Sequence, residues 1–124
     1  MAFLNAGSIF IGPVDLIADK DLETIYTLNG LHVVYLAKVL LEGMMKRNKE
    51  DLTNRSALVV TSSGFARFPA PGVISYCSTK ILISRFCESI AEELRDKRID
   101  VMVYEPCAIT TTANPRKGLF SLSC

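Results

Sequence analysis

Tyr76 and Lys80 stand four residues apart in the stretch Ser75-Tyr76-Cys77-Ser78-Thr79-Lys80. A helix over this stretch sets a phenol and an ammonium on one face, a turn apart. An ammonium in that position favours the phenolate, which makes the tyrosine a usable proton donor and acceptor near neutral pH. Ser63 precedes the pair, at the end of the β-branched run Ala57-Leu58-Val59-Val60-Thr61. In open α/β sheets ligands gather at the carboxyl ends of strands, where a serine hydroxyl can donate to a substrate oxygen. Taken singly, each feature has a plainer explanation: a solvated pair on a helix surface, and serines that cap or turn the chain.

Hydrophobic periodicity supplies the scaffold that holds these residues in place. From Asp21 to about Arg47, Leu22, Ile25, Leu28, Val33, Leu36, Val39, Leu40 and Met44 recur at helical steps and predict one long helix. The run Ala57–Thr61 is short, β-branched and nearly continuous, as for a parallel strand buried on both faces. A loop with Pro69, Pro71 and Gly72 leads to a second helix, about Tyr76 to Lys97, with Leu82, Phe86, Ile90 and Leu94 along its stripe. "IDVMVYEP" is a further strand stopped by Pro106, and "AFLNAG" is the tail of a strand ahead of the first helix. Strand, helix, strand, helix, strand is the signature of βαβ units around a parallel sheet, an α/β fold forming a single domain over 1–124.

Composition narrows the function classes. With 124 residues, 49% hydrophobic, 22% charged and a net charge of +1, the chain is that of an ordinary globular domain, and nucleic acid is not an expected partner. Cys77, Cys87, Cys107 and Cys124 lack CxxC or CxxH spacing, so no metal site is expected, and reduced, buried thiols in an intracellular protein are. The most apolar stretch, "LHVVYLAKVLL", is interrupted by His32 and Lys38 and reads as too short and polar for a transmembrane span. No signal segment is read. His32, the one histidine, reads as a packed or surface residue; Met44 and Met45 read as packing.

Asn5-Ala6-Gly7, Asn29, Thr61-Ser62-Ser63-Gly64, Tyr76 to Lys80 and "EPCAITT" from Glu105 to Thr111 together resemble the short-chain dehydrogenase/reductase family in order and spacing. The texture of "LLEGMMKRN" and "YCSTKILISRFCESIAEEL" is most similar to the branch with hydroxysteroid dehydrogenases and long-chain 3-oxoacyl-CoA reductases. The resemblance implies a partial Rossmann-like, three-layer fold and an oxidoreductase using NADP(H) or NAD(H). Its substrate would be a small-molecule ketone or secondary alcohol, acyl-CoA or steroid-like. It implies Tyr76 as general acid/base, Lys80 as the charge that tunes it and holds the nicotinamide ribose, Ser63 as the residue orienting the carbonyl, and Asn29 as holder of a relay water. Asn5, Ala6 and Gly7 would stand beside the coenzyme, and Ile109 and Thr111 at the nicotinamide carboxamide and phosphate side. Cys107 occupies a position where many members have glycine. The two long helices would form a homo- or hetero-oligomer interface, in the cytoplasm or at the endoplasmic reticulum.

The chain resembles only the middle of that family's domain. The N-terminal strand, glycine-rich turn and helix that grip the pyrophosphate, and the C-terminal strand and substrate cover, are not matched. This chain alone is therefore expected to bind the coenzyme weakly or not at all. Both helices are expected on one sheet face, leaving either Ala57, Val59, Met102 and Tyr104 or Leu58, Val60, Val101 and Val103 to meet water. Two functions stay open: the catalytic segment of a ketone reductase, or an inactive shortened paralogue that binds a full-length relative.

Overall fold

The computed structural model describes residues 1–107. Three parallel strands, β1 (Ala2–Leu4), β2 (Ser56–Thr61) and β3 (Ile99–Tyr104), form one sheet in that spatial order. Their register sets Phe3 beside Val59 and Val59 beside Met102, with Leu58 beside Val101 and Val60 beside Val103. Between β1 and β2 run α1 (Asp19–Tyr26), a π-turn (Thr27–Leu31) and α2 (His32–Glu50). Between β2 and β3 runs α3 (Ile74–Glu93), followed by a 3-10 turn, Arg95–Lys97.

All three helices lie on one side of the sheet. Leu4, Leu58, Val60 and Ile99 from the strands close a core with Val33, Ala37, Leu41 and Met44 of α2 and Ile83, Cys87 and Ile90 of α3. Because side chains alternate along a strand, the neighbouring residues face away from the helices. Phe3, Met102 and Tyr104 are exposed, while Val59, central in the sheet, is buried and Ala57 is half-buried. The first of the two expected sets is thus the uncovered one. The described residues supply the sheet and one helical layer of the three-layer arrangement.

The predicted helix Asp21–Arg47 is corrected in its phase. The π-turn takes up one residue more than an α-turn, so the positions that face the core after it are offset by one residue, about 100° of phase, from those of one uniform helix. After it, Val33, Ala37, Leu41, Met44 and Asn48 face the core, whereas Leu36 and Val39 are exposed. On α3 the same holds for Leu82, which is exposed, while Cys77, Ile83, Cys87 and Ile90 are buried. The helical run Asp19–Glu50 has 32 residues and one 18-residue window of mean hydropathy 1.3. By length and composition it passes for a membrane span, unlike the shorter stretch read from the sequence. A third of that window is buried in the fold, and the core helix of a soluble protein passes the same test.

Far from the strand ends where Ser63 lies, the fold is tied by a buried amide. Asn48 Nδ2 donates to the carbonyls of Lys97 (3.1 Å) and Arg98 (2.9 Å), and Ser56 Oγ donates to Asn48 Oδ1 (3.1 Å). Arg98 adopts the left-handed conformation (φ 54°), which turns both carbonyls toward Asn48 and lets the Arg98 guanidinium donate to the Asn48 carbonyl.

Candidate active site

Lys80 lies on the inner face of α3 with only 4% of its surface exposed. Its ammonium donates to the Thr61 carbonyl at the end of β2 (3.0 Å) and stands 5.4 Å from the centroid of the Tyr76 ring. The carbonyl and the aromatic face offset part of the cost of burying the charge. Burial still pushes the ammonium below the ordinary lysine value. The two residues are one turn apart on α3, as the spacing predicted. Tyr76 is half-buried, its ring edge-on to Phe65 with centroids 6.3 Å apart, and Phe65 is edge-on to Phe68.

Ser63 ends the run out of β2 and caps the 3-10 turn Gly64–Ala66, its Oγ accepting from the Phe65 N–H (3.3 Å). Phe65 therefore touches both residues, Ser63 through its main chain and Tyr76 through its ring. The pairing of β2 with β3 continues past the strands: the Ser62 N–H donates to the Tyr104 carbonyl (2.8 Å) and the Gly64 N–H to the Pro106 carbonyl (2.9 Å). This fixes the backbone on either side of Ser63. The Ser63 hydroxyl proton and the Tyr76 hydroxyl have no hydrogen-bond partner among the described residues.

Asn29 lies within the π-turn, fully buried. Its Oδ1 accepts from the Ser8 N–H (2.8 Å) and its Nδ2 donates to the Ser8 carbonyl (2.7 Å), so one amide reads both main-chain groups of one residue. A Cβ built on Gly7 would stand 3.1 Å from Asn29 Oδ1 and 3.6 Å from Lys80 Nζ. Gly7 thus marks the point where Asn29 and Lys80 converge, and Asn5, Ala6 and Gly7 form an exposed segment beyond β1. The structure brings together Gly7, Asn29, Lys80 and Tyr76, with Ser63 joined through Phe65. Ile109 and Thr111 lie outside the described residues.

Three features escaped the sequence reading. The π-turn is one; a second is the Thr61 carbonyl as acceptor for Lys80. The third is a buried polar chain of Ser62, Ser84 and Glu105, whose only sequence signal is a serine one turn beyond Lys80. Cys77 and Cys87 are buried thiols as expected, and burial pushes Cys87 up to about 11. Cys107 is exposed instead, its sulfur 3.0 Å from where a Cβ on Gly64 would lie. His32 is half-buried, and its Nδ1 has no hydrogen-bond partner among the described residues.

Residues 2–119 match the short chain dehydrogenase family. Over 93 residues the chain is 27% identical to the very-long-chain 3-oxoacyl-CoA reductase of Bos taurus, a match that covers 75% of this chain and 28% of that protein. Over 94 residues it is 28% identical to 17-beta-hydroxysteroid dehydrogenase type 3 of Homo sapiens, covering 76% and 28%. Among solved structures, the 3-ketoacyl-(acyl-carrier-protein) reductase from Brucella melitensis complexed with NADH superposes with a TM-score of 0.78 at 21% identity, over 86% of this chain and 43% of that one. The chain spans less than a third of the length of these two curated relatives. The family match runs over nearly all of the sequence: the chain belongs to the short chain dehydrogenase family of oxidoreductases.

Proposed function

We propose that this chain carries the acid/base residues of a nicotinamide-dependent oxidoreductase interconverting a ketone and a secondary alcohol, of 3-oxoacyl-CoA or ketosteroid type. The observation that carries the reading is a pair of donors without a partner among the described residues, the Tyr76 hydroxyl and the Ser63 proton, at the carboxyl end of a parallel sheet beside a buried ammonium. The coenzyme, NADPH or NADH, supplies the hydride when bound. Asn5, Ala6, Gly7, Tyr76 and Lys80 would hold it, with Ile109 and Thr111. The side-chain-free Gly7 between Asn29 and Lys80 suits such a group, since a Cβ there would crowd both.

In the reducing direction the Tyr76 phenol passes its proton to the carbonyl oxygen, while the Ser63 hydroxyl donates a hydrogen bond to the same oxygen. Lys80 stabilises the phenolate left behind. The Asn29 side chain is committed to Ser8, so the relay water would sit on the main chain of the π-turn. Exposed Tyr35, Leu36 and Val39 on α2 and Ile81 and Leu82 on α3 support association through these helices. The same surfaces favour a second reading, an inactive chain that docks on a full-length relative.

The test places this chain in the corresponding segment of the bovine reductase it resembles and follows NADPH and NADH oxidation with a 3-oxoacyl-CoA and a ketosteroid. Tyr76→Phe is expected to lower activity on the order of 100-fold or more, and Tyr104→Phe, which faces away on the uncovered side, to change it little. Equal losses in the two variants would overturn the assignment. A fully inactive chimera that still associates with the intact reductase would favour the second reading.

A further inference from the structure

Two separate parts of the fold meet on one carboxylate, and a third joins through one of them. Ser84, on α3 one turn beyond Lys80, donates to Glu105 Oε1 (2.7 Å). Arg67, in the loop after Ser63, donates through Nε to Glu105 Oε2 (2.6 Å). Ser62, immediately before Ser63, lies 2.7 Å from Ser84 Oγ and 3.1 Å from the Lys80 carbonyl. Ser62 and Ser84 are buried, and the Glu105 side chain is only 15% exposed.

Counting protons fixes the direction of this chain. An ionised carboxylate only accepts, so the single Ser84 proton goes to Glu105. Ser84 Oγ can then only accept, and the Ser62 proton is shared between Ser84 and the Lys80 carbonyl. Burial raises the Glu105 value, but the hydrogen bonds from Ser84 and Arg67 and the charges of Arg67 and Arg85 outweigh it and hold it below the ordinary 4.5. Glu88, 4.0 Å from Arg67 and 2.6 Å from Arg85, is the other acid facing this cluster.

We propose that Glu105 and Ser84 are positioning residues for the reacting groups, referring Ser63 and the Tyr76–Lys80 turn to a common anchor on the end of β3. This rests on the reading of Tyr76, Lys80 and Ser63 as the acid/base set. Ser62 and Arg67 bracket Ser63 in sequence; Arg67 reaches Glu105 directly and Ser62 reaches it through Ser84, so the segment carrying Ser63 is held at its two ends. Ser84 fixes α3 against the same carboxylate, and the Ser62 contact to the Lys80 carbonyl sets the depth at which the Lys80 side chain enters between Thr61 and Tyr76. Loss of the anchor lets α3 shift from the tip of β2 and admits water to the ammonium.

The reporter is the Lys80 titration midpoint, read by carbon NMR of its ε-methylene in the full chain, a signal that needs neither coenzyme nor turnover. Among the described groups facing that ammonium, Tyr76 is the titratable one; Thr61, Asn29 and Gly7 are neutral. Ser84→Ala and Glu105→Gln are each expected to move the midpoint up toward the ordinary lysine range, because burial is what lowers it. Ser84→Thr, which keeps the hydroxyl, is expected to retain the wild-type midpoint. Asn48→Ala, which loosens the opposite end of the fold, is expected to leave it in place. An unmoved midpoint in Ser84→Ala and Glu105→Gln, or an equal movement in Asn48→Ala, would overturn the proposal. If Ser84→Ala does not fold, Glu105→Gln against Asn48→Ala decides by the same criterion. A moved midpoint with an inactive chimera would leave the anchor standing and remove the functional reading instead.

Discussion

Gly7→Ala tests how tightly Asn29 and Lys80 converge. The added Cβ would stand 3.1 Å from Asn29 Oδ1, closer than ordinary carbon–oxygen contact, and 3.6 Å from Lys80 Nζ, where it fits. Asn29 has no free direction in which to yield. It is fully buried, and its amide is held by two hydrogen bonds to Ser8, the residue next to the substitution. Either the amide shifts and weakens both bonds, at about 1 kcal/mol each, or the β1 loop moves outward as an overpacked site does, at about 1–3 kcal/mol. Both routes give a loss of about 2 kcal/mol. With a urea slope of about 1–1.5 kcal/mol/M for a chain this size, the unfolding midpoint should fall by about 1.3–2 M. Amide exchange supplies a local check: the Ser8 N–H, protected by Asn29, should exchange faster in the variant relative to amides of β2. A midpoint within about 0.3 M of wild type, with Ser8 protection unchanged, would refute the reasoning.

Gly43→Ala, in the interior of α2, places its Cβ 3.5 Å from the Arg47 guanidinium, ordinary contact with a mobile group, and should raise stability by about 0.5–1 kcal/mol in the same melts. Asn48→Ala leaves the carbonyls of Lys97 and Arg98 without their amide donor and should cost about 1–3 kcal/mol, read from the same curves. Glu105 is held below its ordinary value in the fold, so its contribution to stability is present above about pH 4.5 and is lost as pH falls through the lower folded value; an acid titration by circular dichroism should show this component in wild type and lack it in Glu105→Gln. Val39→Lys on the exposed face of α2 should lower the associated mass seen by light scattering without lowering the melting midpoint, since Val39 is 65% exposed.

The strands and the helix order were legible because β-branched runs and helical periodicity are local properties. The run Ala57–Thr61 matches β2 (Ser56–Thr61) to within one residue, and Tyr76 and Lys80 sit in a helix that begins at Ile74. The phase of the first helix was not legible. Nothing in Thr27-Leu28-Asn29-Gly30-Leu31 announces an extra residue in the turn, and the π geometry forms because Asn29 gains two bonds to Ser8 from a distant loop. Which sheet face stays uncovered depended on the same global packing. The chain from Ser62 through Ser84 to Glu105 needed strand alternation and helix phase to be known together, which no single window of sequence contains. The roles of Tyr76, Lys80, Ser63 and Asn29 came from resemblance, and the structure adds their mutual placement.

The π-turn also changes what counts as a small edit to this chain. A π-turn closes on the fifth residue where an α-turn closes on the fourth, so deleting one residue within 27–31 leaves an ordinary turn and lets α1 and α2 keep their faces toward the core. A deletion at 34–36 has no such slack: it turns Ala37, Leu41 and Met44 by about 100° away from the sheet. What the shortened turn loses is the wide backbone loop that carries Asn29 to Ser8. A gap at these five positions in a related gene is therefore compatible with an intact core, and marks the loss of the amide contact to the β1 loop even where Tyr76 and Lys80 are kept.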